Sequence, residues 1–353
     1  MRISAIIDEK EKRIAITPET AKKYINLGFE VVVPQNIGAS AGFCDDEYLA
    51  IGASIGKEKS VPEADLYLCV KPSFEKELKI KSGSYLIALL SSFQNKKVLE
   101  QMKKNGINLC ALEKIPRITR AQSMDVLSSQ ASIAGYRAVL EALIEYRRVV
   151  PLMMTAAGTV RPAKVLILGA GVAGLQAVAT AKRLGAVVSV FDVRSVVKEQ
   201  VESLGATFVK VENTNDGETS GGYAKEMDDD YKKRQAEKLS QAISKMDIVI
   251  TTAQIPGKPA PRLVTKEMVR SMPAGAVIVD MSTEIGGNCE LSEKDKIVRT
   301  EKVVIIGYAD LAARVAHDSS QLFARNMFNF VSLMVKDGKI NDSDEIIQAT
   351  MEI

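Results

Sequence analysis

Residues 164–194 read KVLILGAGVAGLQAVATAKRLGAVVSVFDVR, and this stretch decides the fold. A short apolar run at 165–168 leads into Gly169-Ala-Gly171-Val-Ala-Gly174, a segment of helical composition follows, and a second β-branched run at 187–191 is closed by Asp192. The order is strand, glycine-rich turn, helix and strand. It is typical of a parallel α/β unit whose turn accepts the pyrophosphate of a dinucleotide.

Each glycine of this fingerprint has its own expected task. Gly169 makes the tight turn, Gly171 lets the backbone approach a pyrophosphate, and Gly174 lets helix and strand pack closely. The N-terminus of the following helix then presents its free N–H groups and the positive end of its dipole to the phosphates. Asp192 follows Gly171 by 21 residues, where a carboxylate accepts from ribose hydroxyls and repels a 2′-phosphate. Such turns also serve plain α/β packing, but the flanking strands and the acid favour NAD.

Length and composition bound the remaining possibilities. A chain of 353 residues favours two domains at about 150 residues each. The 47 basic and 44 acidic residues nearly balance, so no basic stripe indicates nucleic acid as a partner. The absence of tryptophan argues against aromatic platforms for single strands.

Neither the cysteines nor the N-terminus indicates a metal site or export. The chain has no CxxC pair and a single histidine, His317, which we expect to serve packing or the surface. Asp8 and Glu9 interrupt the apolar core that a signal peptide needs, and no segment is predicted to span a membrane. We therefore expect reduced thiols, no metal and a cytoplasmic location; the cysteines are Cys44, Cys69, Cys110 and Cys289.

Strand-like runs alternate with helical segments along the whole chain, which predicts α/β architecture: two Rossmann-like parallel-sheet domains joined by long helices. Thr17-Pro18-Glu19 predicts the start of a helix that ends at Gly28. Outside the fingerprint, the predicted strands are 3–7, 30–33, 66–70, 85–90, 108–112, 207–209, 248–252, 276–280 and 303–306.

The domains are predicted from the long helices and from the segments between them. Residues 114–149 begin irregularly and become a long helix that Pro151 should end, and a second long helix is predicted at 311–335. We expect an N-terminal domain of residues 1–125 plus 320–353 and a nucleotide-binding domain of residues 135–310. The charged stretch 212–238 favours a solvated loop leading into a helix, and 253–259 a stiff loop at the carboxyl end of a strand.

Several further motifs, taken with the fingerprint, resemble one family. It is the NAD(H)-binding domain I of proton-translocating transhydrogenase, which is related to alanine dehydrogenase. The segment around Gln122 is the most specific of the motifs. They are EKRIAITP (11–18), VKP (70–72), PRITRAQSMD (116–125), GAGVAGLQ (169–176), GGYAKEM (221–227), TTAQIPGKPAP (251–261) and DMSTEIGGNC (280–289).

The resemblance implies a function that depends on other chains. NADH bound here would pass a hydride directly to NADP⁺ on a separate domain, and a membrane domain would couple that exchange to proton translocation. The implied activity is a Re/Si-specific transhydrogenase that works only with its NADP(H)-binding and transmembrane partner subunits. The chain itself would be a homodimer, cytoplasmic and held at the inner membrane through those partners.

The resemblance also implies roles for individual residues. Arg117, Gln122, Asp125 and Ser128 would form the loop that positions the nicotinamide and its ribose, with Gln122 reaching the partner's nucleotide; we place all four in the catalytic set. The cofactor-binding set would be Ile118, Thr119, Gly169, Gly171, Val172, Gly174, Asp192, Val193, Arg194, Gly222, Tyr223, Gln235, Ala253 and Gln254. Within it, Asp192 to Arg194 would contact the adenosine ribose, Ala253 and Gln254 would wall the nicotinamide, and Tyr223, with Met227, would close over the nucleotide.

The chemistry agrees with this assignment and separates it from the alternatives. Hydride transfer between two nicotinamides needs rings held at reacting distance and no general acid or base. A free-standing alanine dehydrogenase is the alternative, since its pyruvate-binding residues match Arg13 and Lys71. That family, however, uses a histidine in the stretch that here reads Tyr85-Leu-Ile87, and an aspartate where this chain has Glu284. A nucleotide-binding regulatory protein without chemistry remains a third hypothesis.

The sequence leaves open the roles of two groups of basic residues. Arg13 and Lys71 are expected to be structural remnants paired with acids, since ion pairs of that kind are common. Arg120 lies close to Arg117 and serves equally well as a surface charge.

Overall fold

The computed structural model describes residues 1–6, 8–57, 61–75, 78, 80–210, 229–255 and 258–351. It divides into two compact units, Met1–Gln130 with Ala312–Ile353, and Ala131–Leu311. Each unit is built on its own parallel sheet.

The elements alternate along the chain. The strands are β1 (Arg2–Ala5), β2 (Glu30–Val33), β3 (Ser54–Ile55), β4 (Leu66–Leu68), β5 (Tyr85–Ala88), β6 (Asn108–Ala111), β7 (Met153–Thr155), β8 (Gly158–Val160), β9 (Lys164–Leu168), β10 (Val187–Phe191), β11 (Thr207–Phe208), β12 (Ile248–Thr251), β13 (Ala276–Asp280), β14 (Ile297–Arg299), β15 (Val303–Ile306), β16 (Val335–Lys336) and β17 (Lys339–Ile340). The helices are α1 (Pro18–Asn26), α2 (Asp45–Ala50), α3 (Lys96–Lys104), α4 (Val126–Glu145), α5 (Val172–Arg183), α6 (Lys198–Ser203), α7 (Asp229–Ile243), α8 (Lys266–Ser271), α9 (Ala316–Met334) and α10 (Glu345–Met351).

The first unit contains a six-stranded sheet in the order β3-β2-β1-β4-β5-β6, and every neighbouring pair is parallel. Both of its faces are covered. On β5, Leu86 and Ile87 are each fully buried but belong to different apolar clusters, one on each face. This double burial explains why the strands appear in the sequence as continuous apolar runs without alternation.

Helix α1 shows how a local signal produces a boundary. The Thr17 hydroxyl accepts from the N–H of Thr20, whose own hydroxyl accepts from the N–H of Thr17, and Pro18 takes the first helical position. Gly28, two residues beyond the end of the helix, adopts a positive φ of 86°. The predicted start is confirmed, since the capping residues satisfy the free N–H groups there.

The second unit contains a seven-stranded sheet in the order β11-β10-β9-β12-β13-β15-β14, parallel except for β14 at one edge. From β9 the chain builds outward through β10 and β11, and then returns to place β12 on the other side of β9. Ligands of open α/β sheets bind at the carboxyl ends of the strands where the order reverses. The expectation of parallel, Rossmann-like sheets is confirmed; the antiparallel edge strand β14 was not predicted.

Helix α4 packs against the first turn of α5 at a glycine. A Cβ on Gly135 would lie 2.0 Å from the carbonyl oxygen of Ala173, so the two helices approach too closely for any side chain at this position. This contact explains why position 135 of α4 is a glycine. The expectation that Pro151 ends the helix is wrong: α4 ends at Glu145, and beyond it the carbonyl of Val150 accepts from the N–H of Ala163.

Strands β7 and β8 form an antiparallel hairpin that the sequence did not reveal. All six of its residues are exposed, including Met153, Met154 and Val160. An alternating apolar pattern arises only where one face of a strand is buried, so this hairpin carries no such pattern.

Within the described chain, none of the helices combines the length and the apolar character needed to cross a membrane.

Candidate functional site

The glycine-rich turn follows β9 as the sequence predicted. Gly169 has φ +109°, and its N–H donates to the carbonyl of Phe191 at 2.8 Å. A Cβ on Gly174 would lie 1.9 Å from the carbonyl oxygen of Gly169, so a side chain there would force turn and helix apart. A Cβ on Gly171 would meet nothing within 4 Å. The close packing thus lies beneath Gly169 and Gly174, while the backbone at Gly171 is open.

Gly171 is also the N-cap of α5, and no side chain caps the helix there. Val172 opens the helix and is exposed. The first N–H groups of a helix have no partner within it, and the positive end of the dipole lies beside them. The start of α5 is therefore suited to an anion such as a pyrophosphate.

Asp192 closes β10 directly against this turn. One carboxylate oxygen accepts from the N–H of Ala170 at 2.7 Å, and the other from the N–H of Arg194 at 2.9 Å. The Arg194 side chain adds two further bonds, from Nε at 3.0 Å and from Nη2 at 2.9 Å. Only 5% of the acid's side chain is exposed. Four bonds occupy all of the acceptor positions of a carboxylate, so a ribose hydroxyl must replace one that Arg194 now makes.

The segment after β12 is tied to the same turn. The Thr252 hydroxyl donates to the carbonyls of Gly169 and Leu168 at 3.1 and 3.3 Å. Ala253, the next residue, is half-buried, and its carbonyl accepts from Ser282 Oγ at 3.1 Å and from Asn288 Nδ2 at 2.9 Å. Gln254 follows and is exposed. The second unit thus brings together nine predicted site residues: Gly169, Gly171, Val172, Gly174, Asp192, Val193, Arg194, Ala253 and Gln254.

Of the other residues predicted to bind the nucleotide in the second unit, the structure describes only Gln235. Gln235 lies on α7 and is 8% exposed. Gly222, Tyr223 and Met227 lie outside the described residues. Sequence reasoning missed Thr252 and Asn288 as supports of the site, although both stand within motifs that carried the family resemblance.

In the first unit, Thr119–Met124 forms a 3-10 turn just before α4. The side chains of Arg117, Ile118, Thr119 and Gln122 are all exposed. The turn itself is held from the protein side, because the carbonyl of Ser123 accepts from two amides of α9, those of Asn326 at 2.8 Å and Asn329 at 2.9 Å. A fixed backbone therefore carries exposed side chains, of which Arg117, Thr119 and Gln122 are polar.

Arg120, which the sequence left open, is part of this support. Its guanidinium binds Asp344 at 2.7 Å and Glu345 at 2.9 Å, on and just before α10. The hydrogen bond from Arg120 lowers the pKa of Asp344, which favours the ionised form of the acid. Arg120 thus anchors the turn.

Asp125 and Ser128 have a structural role that the sequence did not reveal. One Asp125 carboxylate oxygen accepts from the N–H of Ser128 at 2.9 Å, and the other accepts from its hydroxyl at 2.6 Å. Asp125 therefore caps the start of α4. Their part in binding a nicotinamide ribose stays a prediction.

The acid partner expected for Arg13 is Glu11. The Arg13 guanidinium, 6% exposed, donates to both carboxylate oxygens of Glu11 at 2.9 and 2.7 Å and to Gln130 Oε1 at 2.9 Å. Gln130 in turn donates to the carbonyl of Ser319 on α9 at 3.0 Å. A buried two-bond pair of this kind orders the segment before α1 against α4 and α9. Lys71 is half-buried.

The histidine and the buried cysteines, which are the other candidates for acid–base or metal chemistry, make packing contacts or are buried. His317 stacks on Phe43 at 4.5 Å between ring centroids, and its Nδ1 lies 2.9 Å from the carbonyl oxygen of Ala41. Burial raises the pKa of Cys110 to about 12 and that of Cys289 to about 11, so both thiols stay protonated at neutral pH. Within the described residues, no group of three or more metal-ligating side chains is found.

Comparison with known proteins gives a consistent result over the whole chain. The family model described as alanine dehydrogenase/PNT, N-terminal domain, matches residues 3–134, and the model of the C-terminal domain of the same family matches residues 138–353. The first part of NAD(P) transhydrogenase subunit alpha from Rickettsia prowazekii is 48% identical over 357 residues, covering 99% of this chain and 93% of that protein. The protein of the same name from Rhodospirillum rubrum is 49% identical over 96% of this chain and 92% of its own length.

Solved structures agree with the sequences. The crystal structure of a transhydrogenase from Sinorhizobium meliloti superposes with a TM-score of 0.90 at 45% identity, covering 99% of this chain and 97% of that one. By sequence, alanine dehydrogenase 1 from Staphylococcus aureus is a more distant relative, 27% identical over 92% of this chain and 84% of that protein.

Proposed function

The chain belongs to the alanine dehydrogenase/PNT family, as its motifs predicted, and from that premise we propose that it is the NAD(H)-binding subunit of a proton-translocating transhydrogenase. Bound NAD(H) supplies the hydride, and NADP⁺ on a partner subunit receives it. A transmembrane partner couples this exchange to proton movement. The chain acts as a homodimer at the cytoplasmic side of the membrane and is active only with those partners.

One arrangement carries the nucleotide part of the proposal. The open backbone at Gly171 and the uncapped start of α5 lie beside the carboxylate of Asp192, which is bonded to the N–H of Ala170 in the same turn. A pyrophosphate needs N–H donors without a side chain in the way, and a ribose needs a carboxylate one strand further along. The residues present fit both needs of NAD(H).

The unit Ala131–Leu311 therefore binds the nucleotide. The backbone at Gly171 and Val172 holds the pyrophosphate, Asp192 and Arg194 hold the adenosine ribose, and the segment that begins at Ala253 walls the nicotinamide. These residues restrict the nicotinamide without exchanging a proton with it. Direct hydride transfer needs only that restriction, because no oxygen or nitrogen on the substrate changes its protonation.

The other unit supplies the loop that faces the partner. Gln122 and Arg117 are exposed on a turn whose backbone Ser123 ties to α9. A rigid turn with outward polar side chains suits contact with a nucleotide held on another protein, since the geometry survives until the partner arrives. In this proposal, Asp125 and Ser128 orient the nicotinamide ribose from the start of α4.

Two observations favour this function over a free-standing alanine dehydrogenase. Ile87, in the stretch where that family uses a histidine, is fully buried and has no proton to exchange. Three donors of Arg13 are also engaged, by Glu11 and Gln130. The alternative therefore lacks the histidine that its family uses in this stretch, and the arginine that matches its pyruvate site is already held by Glu11 and Gln130.

The test combines the full chain with a separately purified NADP(H)-binding transhydrogenase subunit. NADH and an NADP⁺ analogue with a distinct absorbance when reduced should exchange hydride only when both proteins are present. No stimulation by the partner subunit would refute the proposal. A parallel assay with pyruvate and ammonium should show no NADH oxidation by the chain alone, and clear turnover there would instead establish the amino-acid dehydrogenase.

A further inference from the structure

Asn288 joins the two ends of the loop that begins at Ala253. The Asn288 side chain is fully buried, and its Nδ2 donates to the carbonyl of Ala253 at 2.9 Å and to that of Pro261 at 2.8 Å. One amide group thus uses both of its N–H donors on backbone oxygens eight residues apart. Because Nδ2 of an asparagine carries two hydrogens, these two bonds use all of its donors.

The two ends of the loop are held differently. At the far end the backbone already suffices, because the carbonyl of Asn288 accepts from the N–H groups of Leu263 and Val264 at 2.9 and 3.0 Å. At the near end, the donors that the described residues offer to the Ala253 carbonyl are side chains, Asn288 and Ser282. The position of Ala253 therefore depends on side-chain chemistry.

A buried carboxylate fixes the two donors in turn. Asp280, at the end of β13, is fully buried and accepts four hydrogen bonds, from the N–H groups of Ser282 and Cys289 and the hydroxyls of Thr251 and Ser292. These bonds hold the backbone on both sides of Asn288. Asp280 also requires Gly287, which has φ +81°, since a Cβ there would lie 2.7 Å from the carboxylate.

A continuous polar layer results, running from the end of β13 to the nucleotide turn. Asp280 orders Ser282 and Asn288, those two hold Ala253, and the neighbouring Thr252 donates to the carbonyl of Gly169. Any shift of the Ala253 carbonyl is thus resisted on one side by Asn288 and on the other by the fingerprint turn.

The amide has one atom that stability alone does not explain. Asn288 Oδ1 is buried and has no hydrogen-bond partner within the described part of the chain. An unpaired buried acceptor is destabilising. The Nδ2 atom of the same amide holds the carbonyls of Ala253 and Pro261.

We propose that Asn288 is a positioning residue for hydride transfer, fixing Ala253 and Gln254 against the nicotinamide. The inference rests on the proposed function, in which those two residues form the nicotinamide wall. It adds a residue that acts on the nicotinamide through Ala253 and Gln254. Its effect should appear in the rate of hydride transfer and not in the binding of the ADP-ribose part of the cofactor.

The test compares Asn288→Asp with the unaltered full chain in the hydride-exchange assay with the NADP(H)-binding subunit. Aspartate keeps the shape but turns a carboxylate oxygen toward two carbonyls, so the loop must move. At saturating NADH we expect transfer to slow by on the order of 10- to 100-fold, as for a displacement of about 1 Å. The dissociation constant of ADP-ribose, which lacks the nicotinamide, should change less than about threefold, well under the tenfold that 1.4 kcal/mol represents.

Two further variants make the result decisive. Ser282→Ala removes one of the two donors to Ala253 and should slow transfer by a smaller factor, about tenfold or less. It decides the matter if Asn288→Asp does not fold: transfer at the unaltered rate would then overturn the inference. Asn95→Ala, which loses a similar amide bond to the carbonyl of Leu90 in the other unit, should transfer hydride like the unaltered chain.

The failures of the two proposals are distinguishable. No transfer by the unaltered chain with its partner refutes the proposed function. Normal transfer by both the unaltered chain and Asn288→Asp overturns the inference alone. So does a parallel loss of ADP-ribose binding and transfer, because Asn288 would then only maintain the fold.

Discussion

Replacing Asp192 with asparagine should weaken NADH binding and reduce the bias against NADPH. The carboxylate now accepts four hydrogen bonds, two of them from the Arg194 side chain. A ribose hydroxyl gains a bond to a charged acceptor only by replacing one of those. The net loss in the variant is therefore at the lower end of the range for such bonds, about 1 to 2 kcal/mol, or about 5- to 30-fold in Kd.

The same substitution should favour the phosphorylated cofactor. A neutral amide no longer repels a 2′-phosphate, and Arg194, released from the ion pair, has donors to offer it. We therefore expect the NADPH dissociation constant to fall while that of NADH rises. The opposite movement of the two constants separates this cause from general damage to the site.

Fluorescence titration of both reduced nucleotides at one fixed ionic strength measures this prediction. Asp247→Asn is the matched control, since Asp247 forms an ion pair with Arg148 and lies before β12, at the other end of the strands. The control should leave both constants unchanged. An unaltered NADH constant in Asp192→Asn would place the ribose contact elsewhere, and parallel weakening of both nucleotides would refute the selectivity argument.

Three further outcomes are expected. Gln122→Asn should leave NADH affinity nearly intact while it slows transfer to the partner subunit, and an equal loss of both would mean that Gln122 merely holds its turn. Gly174→Ala should lower the free energy of unfolding by about 1 to 3 kcal/mol, measured by urea denaturation, since its Cβ would lie 1.9 Å from the carbonyl oxygen of Gly169. The hydrogen bond from Arg325 lowers the pKa of Glu19 from 4.5 to about 2, so the stability it provides is present above pH 4.5 and is lost as the pH falls toward 2. Glu19→Gln should flatten that part of the pH–stability curve by less than about 1 kcal/mol, because the Glu19–Arg325 pair is exposed. A variant curve identical to that of the unaltered chain would show that this pair contributes no stability.

The local elements were predictable because their causes are local. Strand β10 was predicted at 187–191 and is found at Val187–Phe191, since a β-branched run closed by turns has few alternatives. The glycine turn was predictable for a similar reason: a positive φ at Gly169 and the contact between Gly169 and Gly174 arise within six residues. In the exposed hairpin Met153–Val160, burial did not shape the sequence, so the hydrophobic pattern did not predict the strands.

The sequence by itself determined two parallel sheets, the nucleotide turn and the acid that follows it, because strand periodicity, capping and backbone sterics act over a few neighbouring residues. Only the tertiary structure decided that Arg194 occupies the Asp192 carboxylate, that Asn326 and Asn329 share the carbonyl of Ser123, and that Asn288 reaches Ala253. The three hydrogen bonds made by these asparagines join residues 203, 206 and 35 positions apart, and a hydrogen bond depends on where two atoms lie in space. No pattern along the chain encodes such a distance before the sheets and helices have packed.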